Sequence, residues 1–137
     1  MLKRDYILRL IQEFAEALAL LKRKDTGRQK DELKKMYDQY VGPYTFYHTG
    51  TIDEVMTSFG RYPQQERAER MEMLAELYYT EAGLTPVAGG TELLRKALAL
   101  FDFIDRHDKT YSMVRQAKMA EIKKRLEAAD ADSPSTR

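Results

Sequence analysis

The chain has 137 residues, no cysteine and a formal net charge of +1, which fits one domain able to bury a core without staples and excludes disulfides, a thiol nucleophile and Cys-ligated zinc. Charge alternates along it: residues 1–50 hold ten basic and seven acidic side chains, 51–108 six and eleven, and 109–137 seven and four. That alternation describes solvated helix faces rather than the single basic surface of a nucleic-acid binder, and no stretch approaches the ~20 apolar residues that span a bilayer.

The amino-terminal run MLKRDYILRLIQEFAEALALL places two basic residues ahead of apolar ones, as export signals do. Arg9, Glu13 and Glu16 interrupt it, and the longest uncharged piece, 17–21, is too short for an export core. The expectation is a cytoplasmic protein. The spacing predicts a first helix over about 3–24, with Ile7, Leu10, Ile11, Phe14, Leu18 and Leu21 as its apolar stripe. Gly27 marks a break, and a second helix over about 28–41 sets Leu33, Met36, Tyr37, Tyr40 and Val41 on one side. Gly42, in a left-handed conformation, and Pro43 stop it.

Thr51-Ile52-Asp53-Glu54 reads as a capping box that starts a short helix over 52–59, ended by Gly60. Pro63 suits the first position of a helix over 63–82 whose stripe includes Met71, Leu74, Ala75, Leu77 and Tyr78. GLTPVAGG at 83–90 reads as a loop, with Thr91 capping a helix over 92–106 that presents Leu94, Ala97, Leu98, Phe101 and Ile104. A weaker helix over 110–128 carries Val114, Ala117, Ile122 and Leu126. Residues 1–128 form the single predicted domain, and 129–137 a polar, disordered tail. No segment alternates like a strand, so the predicted class is all-α, about six helices in antiparallel hairpins.

Two of those hairpins, 3–41 and 63–106, share a finer pattern: a large residue, a large one three on, a small one next, and a large one three further. Met71, Leu74, Ala75 and Tyr78 fit it and are followed by Ala97 and Phe101; Ile11, Phe14, Ala15 and Leu18 fit it and are followed by Leu33 and Tyr37. The small residue lets antiparallel helices approach closely and the large ones fill the groove beside it. On these residues the hairpins resemble degenerate tetratricopeptide-like repeats, which assemble into an α-α right-handed superhelix or bundle. The stretch 5–126 resembles a family of short, uncharacterised bacterial all-helical proteins. Leu33 departs from the pattern, standing where a small residue is expected. The resemblance implies a fold and no activity. It also implies that the first helix of each pair lines a concave groove, which would place Glu69, Glu72, Glu76 and Tyr79, with Arg9, Gln12 and Glu16, against a partner segment bearing Lys or Arg.

The residues call for no catalytic machinery, no metal and no cofactor. His48 and His107 are the only histidines; neither lies near a nucleophile motif, and neither has an acidic residue three before it, as the Glu-x-x-His of di-iron bundles requires. Asp102, Asp105, His107 and Asp108 cluster in DFIDRHD, but this reads as the wet end of a helix with Asp102 paired to Arg106. No phosphate-binding glycine loop has the required spacing. The basic run 22–35 lacks the aromatics that stack on single strands and reads as a solvated hairpin tip.

GPYTFYHTG at 42–50 admits two readings. As a corner between hairpins, Phe46 with Tyr44 or Tyr47 packs over the open end of the helices, each Tyr burying its ring while its hydroxyl stays wet. As a ligand box, Tyr44, Phe46, Tyr47 and His48 bind a small molecule. The expectation is the corner, in a non-catalytic adaptor or scaffold that binds a protein or peptide partner. The rival is a regulator binding a small molecule at those aromatics or nucleic acid at the basic tips. A membrane partner is not expected, and self-association is compatible with either reading.

Overall fold

The computed structural model describes residues 2–107 and 111–132. Among them are seven α-helices and no strand: α1 Leu2–Leu21, α2 Thr26–Tyr40, α3 Tyr44–Thr49, α4 Ile52–Ser58, α5 Gln64–Gly83, α6 Val87–His107 and α7 Met113–Asp132. One 3₁₀ turn, Phe59–Arg61, joins α4 to α5. The protein is all-α as expected, and α3 is the helix that the sequence pattern does not show. Among the described residues no helix is long and apolar enough to cross a membrane.

The helix ends follow local chemistry, with corrections. Asp25, not Gly27, opens α2, its carboxylate accepting from the Arg28 amide at 3.3 Å, and Gly27 sits inside the first turn. The expected left-handed Gly42 is not found: no described residue has a positive φ. The Val41 and Gly42 amides instead both donate to the Tyr37 carbonyl, at 2.9 and 2.8 Å. Gly42 is needed for space, because a Cβ there would stand 2.5 Å from Arg61 Nη2 and 2.8 Å from the Tyr47 ring. The Thr51–Glu54 capping box is present, with both reciprocal bonds made at 2.9 and 3.1 Å. Pro63 stands one residue ahead of α5.

The expected loop 83–90 is mostly helix. α6 begins at Val87, the Gly90 amide donating to the Pro86 carbonyl at 2.9 Å, so Thr91 lies inside the helix and not at its start. Glycine is favoured there by packing: a Cβ on Gly90 would meet the Ala82 carbonyl of α5 at 3.0 Å. Two helices approach most closely where neither side chain intervenes. The expected α7 stripe holds at Ile122, which is buried, and at Leu126, which packs partly on the core, but Val114 and Ala117 are exposed and Arg115 and Met119 are buried in the first half. It runs through Asp132, taking in the start of the expected tail; 133–137 lie outside the described residues.

α5 is the centre of the assembly. It is buried around most of its circumference, through Arg70, Met71, Met73, Leu74, Ala75, Leu77, Tyr78, Glu81 and Ala82. α1 runs parallel to it, Tyr6 meeting Arg70 near the two starts. α2 runs antiparallel, Tyr40 beside Arg70 and Tyr37 beside Glu81. α6 forms the most extensive contact with α5, and α7 packs on α6. Parallel to α5, α7 places Lys118 against Glu76 and Arg125 over the Tyr79 ring.

Ala75 and Ala97, the small residues of the α5–α6 hairpin, are both fully buried. Ala97→Phe is expected to overpack this contact and cost roughly 1–3 kcal/mol. A thermal melt that superimposes on the wild-type curve would show that the site has room to spare.

Candidate functional site

The two regions singled out by sequence have different fates. In the corner, Tyr47 is fully buried, Tyr44 is half-buried and Phe46 is 38% exposed. Phe46, expected as the main anchor, lies edge-on to the Tyr47 ring at 4.9 Å, and Tyr47 does the anchoring. The Tyr47 hydroxyl meets Ser58 Oγ at 3.1 Å and accepts from Arg61 at 3.2 Å. The hydroxyls of Tyr37 and Tyr44 donate to the two oxygens of buried Glu81, at 2.7 and 2.5 Å. His48 Nδ1 lies 2.9 Å from the same carboxylate and stacks on Tyr44.

Polar groups from α5, α6 and the turn before α5 close the carbonyl ends of the preceding helices. Lys96 Nζ donates to the carbonyls of Tyr47, His48 and Gly50, at 3.1, 2.9 and 3.0 Å. The Tyr78 hydroxyl adds a second donor to the Tyr47 carbonyl at 2.6 Å. At the end of α2, Arg70 Nη1 holds the Tyr40 carbonyl at 2.5 Å, and Arg61 and Tyr62 both donate to that of Val41. The last carbonyls of a helix lack internal partners and carry its negative dipole end, so a buried cation is well placed there. Burial nonetheless pushes the Lys96 pKa down, Glu92 and Glu81 opposing that fall. These side chains are occupied in fastening the ends of α2 and α3 to the helices that follow, which is the work of a corner.

The second region is an open groove between α1, α5 and α7, with a volume of about 510 Å³. Ile11, Ala15 and Ala19 form its α1 wall, Phe14, Leu18 and Met73 its floor, and Glu69, Glu72 and Glu76 its α5 wall. Lys22 and Lys118 stand toward the end where α1 finishes. Lys118 Nζ bridges both Glu76 oxygens, at 2.7 and 2.8 Å. Ile11, expected in the core stripe, is 36% exposed because it forms the lip of this groove.

Of the residues expected on a partner face, Glu69, Glu72 and Glu76 are brought together here. Tyr79 is engaged by α7: Lys118 and Arg125 lie over its ring at 5.3 and 5.2 Å, and its hydroxyl donates to Glu121. Burial and the Glu121 bond push its phenol up to about 12, and that bond holds the Glu121 carboxyl low. Arg9, Gln12 and Glu16 are exposed but do not line the groove. Gln12 and Glu16 follow Ile11 and Ala15 by one residue, about 100° around the helix.

A second open cleft of about 700 Å³ lies between α4, the start of α5 and the end of α6. Its ionisable groups are turned to local tasks, Arg67 holding the Tyr62 and Gly60 carbonyls and His107 Nδ1 meeting that of Phe103. The acidic cluster at the end of α6 is divided: Asp102 pairs with Arg106 at 2.8 Å, and Asp105 with Arg115 and Gln116. Asp108 lies outside the described residues. Among the described residues, no three His, Cys, Asp or Glu gather where they could hold a metal ion.

Comparison with protein-family models, curated proteins and solved structures finds no match to this chain. Sequence reading missed the buried polar set of Arg70, Glu81, Lys96 and Arg115. The signal was there: Lys96 stands three residues after Leu93 and four before Leu100, and Glu81 three and four after Tyr78 and Leu77, all buried positions.

Proposed function

We propose that this protein is a non-catalytic interaction module, an adaptor or scaffold, that holds a Lys- or Arg-bearing segment of a protein partner in the groove between α1, α5 and α7. The observation that carries this reading is the groove's composition: an apolar floor and α1 wall, faced by Glu69, Glu72 and Glu76 on α5. Apolar burial supplies affinity, while carboxylates along one wall set encounter rate and choice of partner. The helix arrangement supports a tetratricopeptide-like reading. α1, α5 and α7 run parallel and share the groove, with α2 and α6 as the second helices of the pairs, and α3 and α4 as an insertion. A cytoplasmic location fits a chain without cysteine. The rival, a ligand box at 42–50, is not proposed, because Tyr44, Tyr47 and His48 are held by internal bonds.

The test is a partner captured from native lysate and then measured with purified chains. Glu72→Lys is expected to weaken binding by about tenfold, roughly 1.4 kcal/mol. Wild-type binding should also weaken as salt rises. Equal affinity in the variant at low salt would make this wall ordinary solvated surface.

A further inference from the structure

Resting on the groove reading above, we infer that its occupant is an amphipathic α-helix of about three turns, with one apolar stripe and Lys or Arg along a flank. The first reason is dimension. From Ile11 to Lys22, one residue past the end of α1, this edge of the groove runs eleven residues, about 16 Å at the rise of an α-helix. A helical segment of similar length spans it.

The second reason is the bonding character of the walls. All three are α-helices, whose amides and carbonyls bond within their own helix, so the groove presents side chains rather than backbone donors. An extended segment laid against Ile11, Phe14 and Leu18 would bury amides and carbonyls without partners. A helix satisfies its own backbone and offers a stripe at three- and four-residue spacing.

The third reason is internal precedent. The acidic face of α5 already accepts two cations from α7, with Lys118 on the Glu76 carboxylate and Lys118 and Arg125 over the Tyr79 ring. Glu72 and Glu69 continue that face by about one and two turns toward the start of α5. A partner helix with cations every three or four residues meets them as α7 meets Glu76.

The test uses a fluorescent synthetic peptide of about fourteen residues, with Leu at three- and four-residue spacing and Lys along the flank, enough for about three turns. One control replaces its Lys with Glu; another carries a central Pro, which breaks the helix. They are titrated against the full chain, Ala15→Trp, which fills the groove from an exposed position, and the double variant Glu69→Lys, Glu72→Lys, each checked for native circular dichroism. The Lys peptide is expected to bind wild type at least about tenfold more tightly than either control. Ala15→Trp should abolish that binding, and the double variant should prefer the Glu peptide. If the Pro-broken peptide binds equally well while Ala15→Trp still blocks it, the groove stands and the helical occupant is overturned. If no peptide binds, or Ala15→Trp leaves binding unchanged, both readings fall.

Discussion

Replacing Lys96 with Met is expected to destabilise the protein by about 2–4 kcal/mol and to loosen the corner formed by α3. Met keeps most of the apolar stem, so the loss isolates the ammonium and its three bonds to the carbonyls of Tyr47, His48 and Gly50. Exchange of a buried ion pair for apolar residues is often neutral, because two desolvation costs vanish together. Lys96 differs: its acceptors are backbone carbonyls that the substitution cannot remove. The Tyr78 hydroxyl still serves Tyr47, but His48 and Gly50 lose this donor. Burial, seen in the lowered Lys96 pKa, takes back part of the ammonium's gain and keeps the expected cost below that of an ideal charged cap. Urea unfolding of Lys96→Met beside Phe46→Ala checks the argument. Phe46 is partly exposed and should cost less than about 1 kcal/mol. Equal midpoints for Lys96→Met and wild type would mean that the three bonds add nothing net.

The same corner shows where sequence reading stops. Periodicity identifies α1, α2, α5, α6 and α7, because each has several turns and one dominant apolar side. The capping box places the start of α4 to the residue. α3 escapes because six residues between Pro43 and Gly50 give no period, and its carbonyl end is completed by Tyr78 and Lys96, 31 and 49 residues from Tyr47 in the chain. Gly89 and Gly90 look like a loop until the closeness of Ala82 is seen, since their helical state is a property of the α5–α6 contact. The α5 side of the groove was legible because its stripe fixes the register, which places Glu69, Glu72 and Glu76 beside it. The α1 side is not legible, because the spacing puts Ile11 in the core stripe while the structure puts it on the groove. A large apolar residue at a stripe edge looks the same whether it faces a neighbour or a groove lip, and only the packing of α5 decides between them.

Raising the pH above 10 is expected to unfold the protein cooperatively, with the buried tyrosines ionising in the transition rather than before it. The phenols of Tyr37 and Tyr78 are both held well above the ordinary value of 10.0, burial being the largest cause, with Glu81 and neighbouring tyrosines adding to it. Tyr44 and Tyr79 are raised for the same first reason, reinforced by hydrogen bonds to Glu81 and Glu121. A group whose folded pKa lies above its unfolded value contributes stability that is complete below the unfolded pKa. That stability is lost as pH climbs toward the folded one. Between 10 and those values the unfolded chain gives up phenolic protons that the fold retains, so Tyr37 and Tyr78 each remove up to about 1.4 kcal/mol per pH unit. Lys96 acts oppositely: its lowered pKa lets the folded state shed a proton first, adding stability as pH approaches 10.5. That is one group, acting below the window in which several phenols act, so the tyrosines prevail. Absorbance at the phenolate band, followed with circular dichroism, tests this. The buried set should ionise only as helicity is lost. Tyr37→Phe would remove one such phenol and should move the alkaline midpoint upward relative to the variant's own stability at neutral pH. A smooth single ionisation of all nine tyrosines with helicity intact would overturn the account, since phenolates cannot sit beside the Glu81 carboxylate in a buried site without breaking it open.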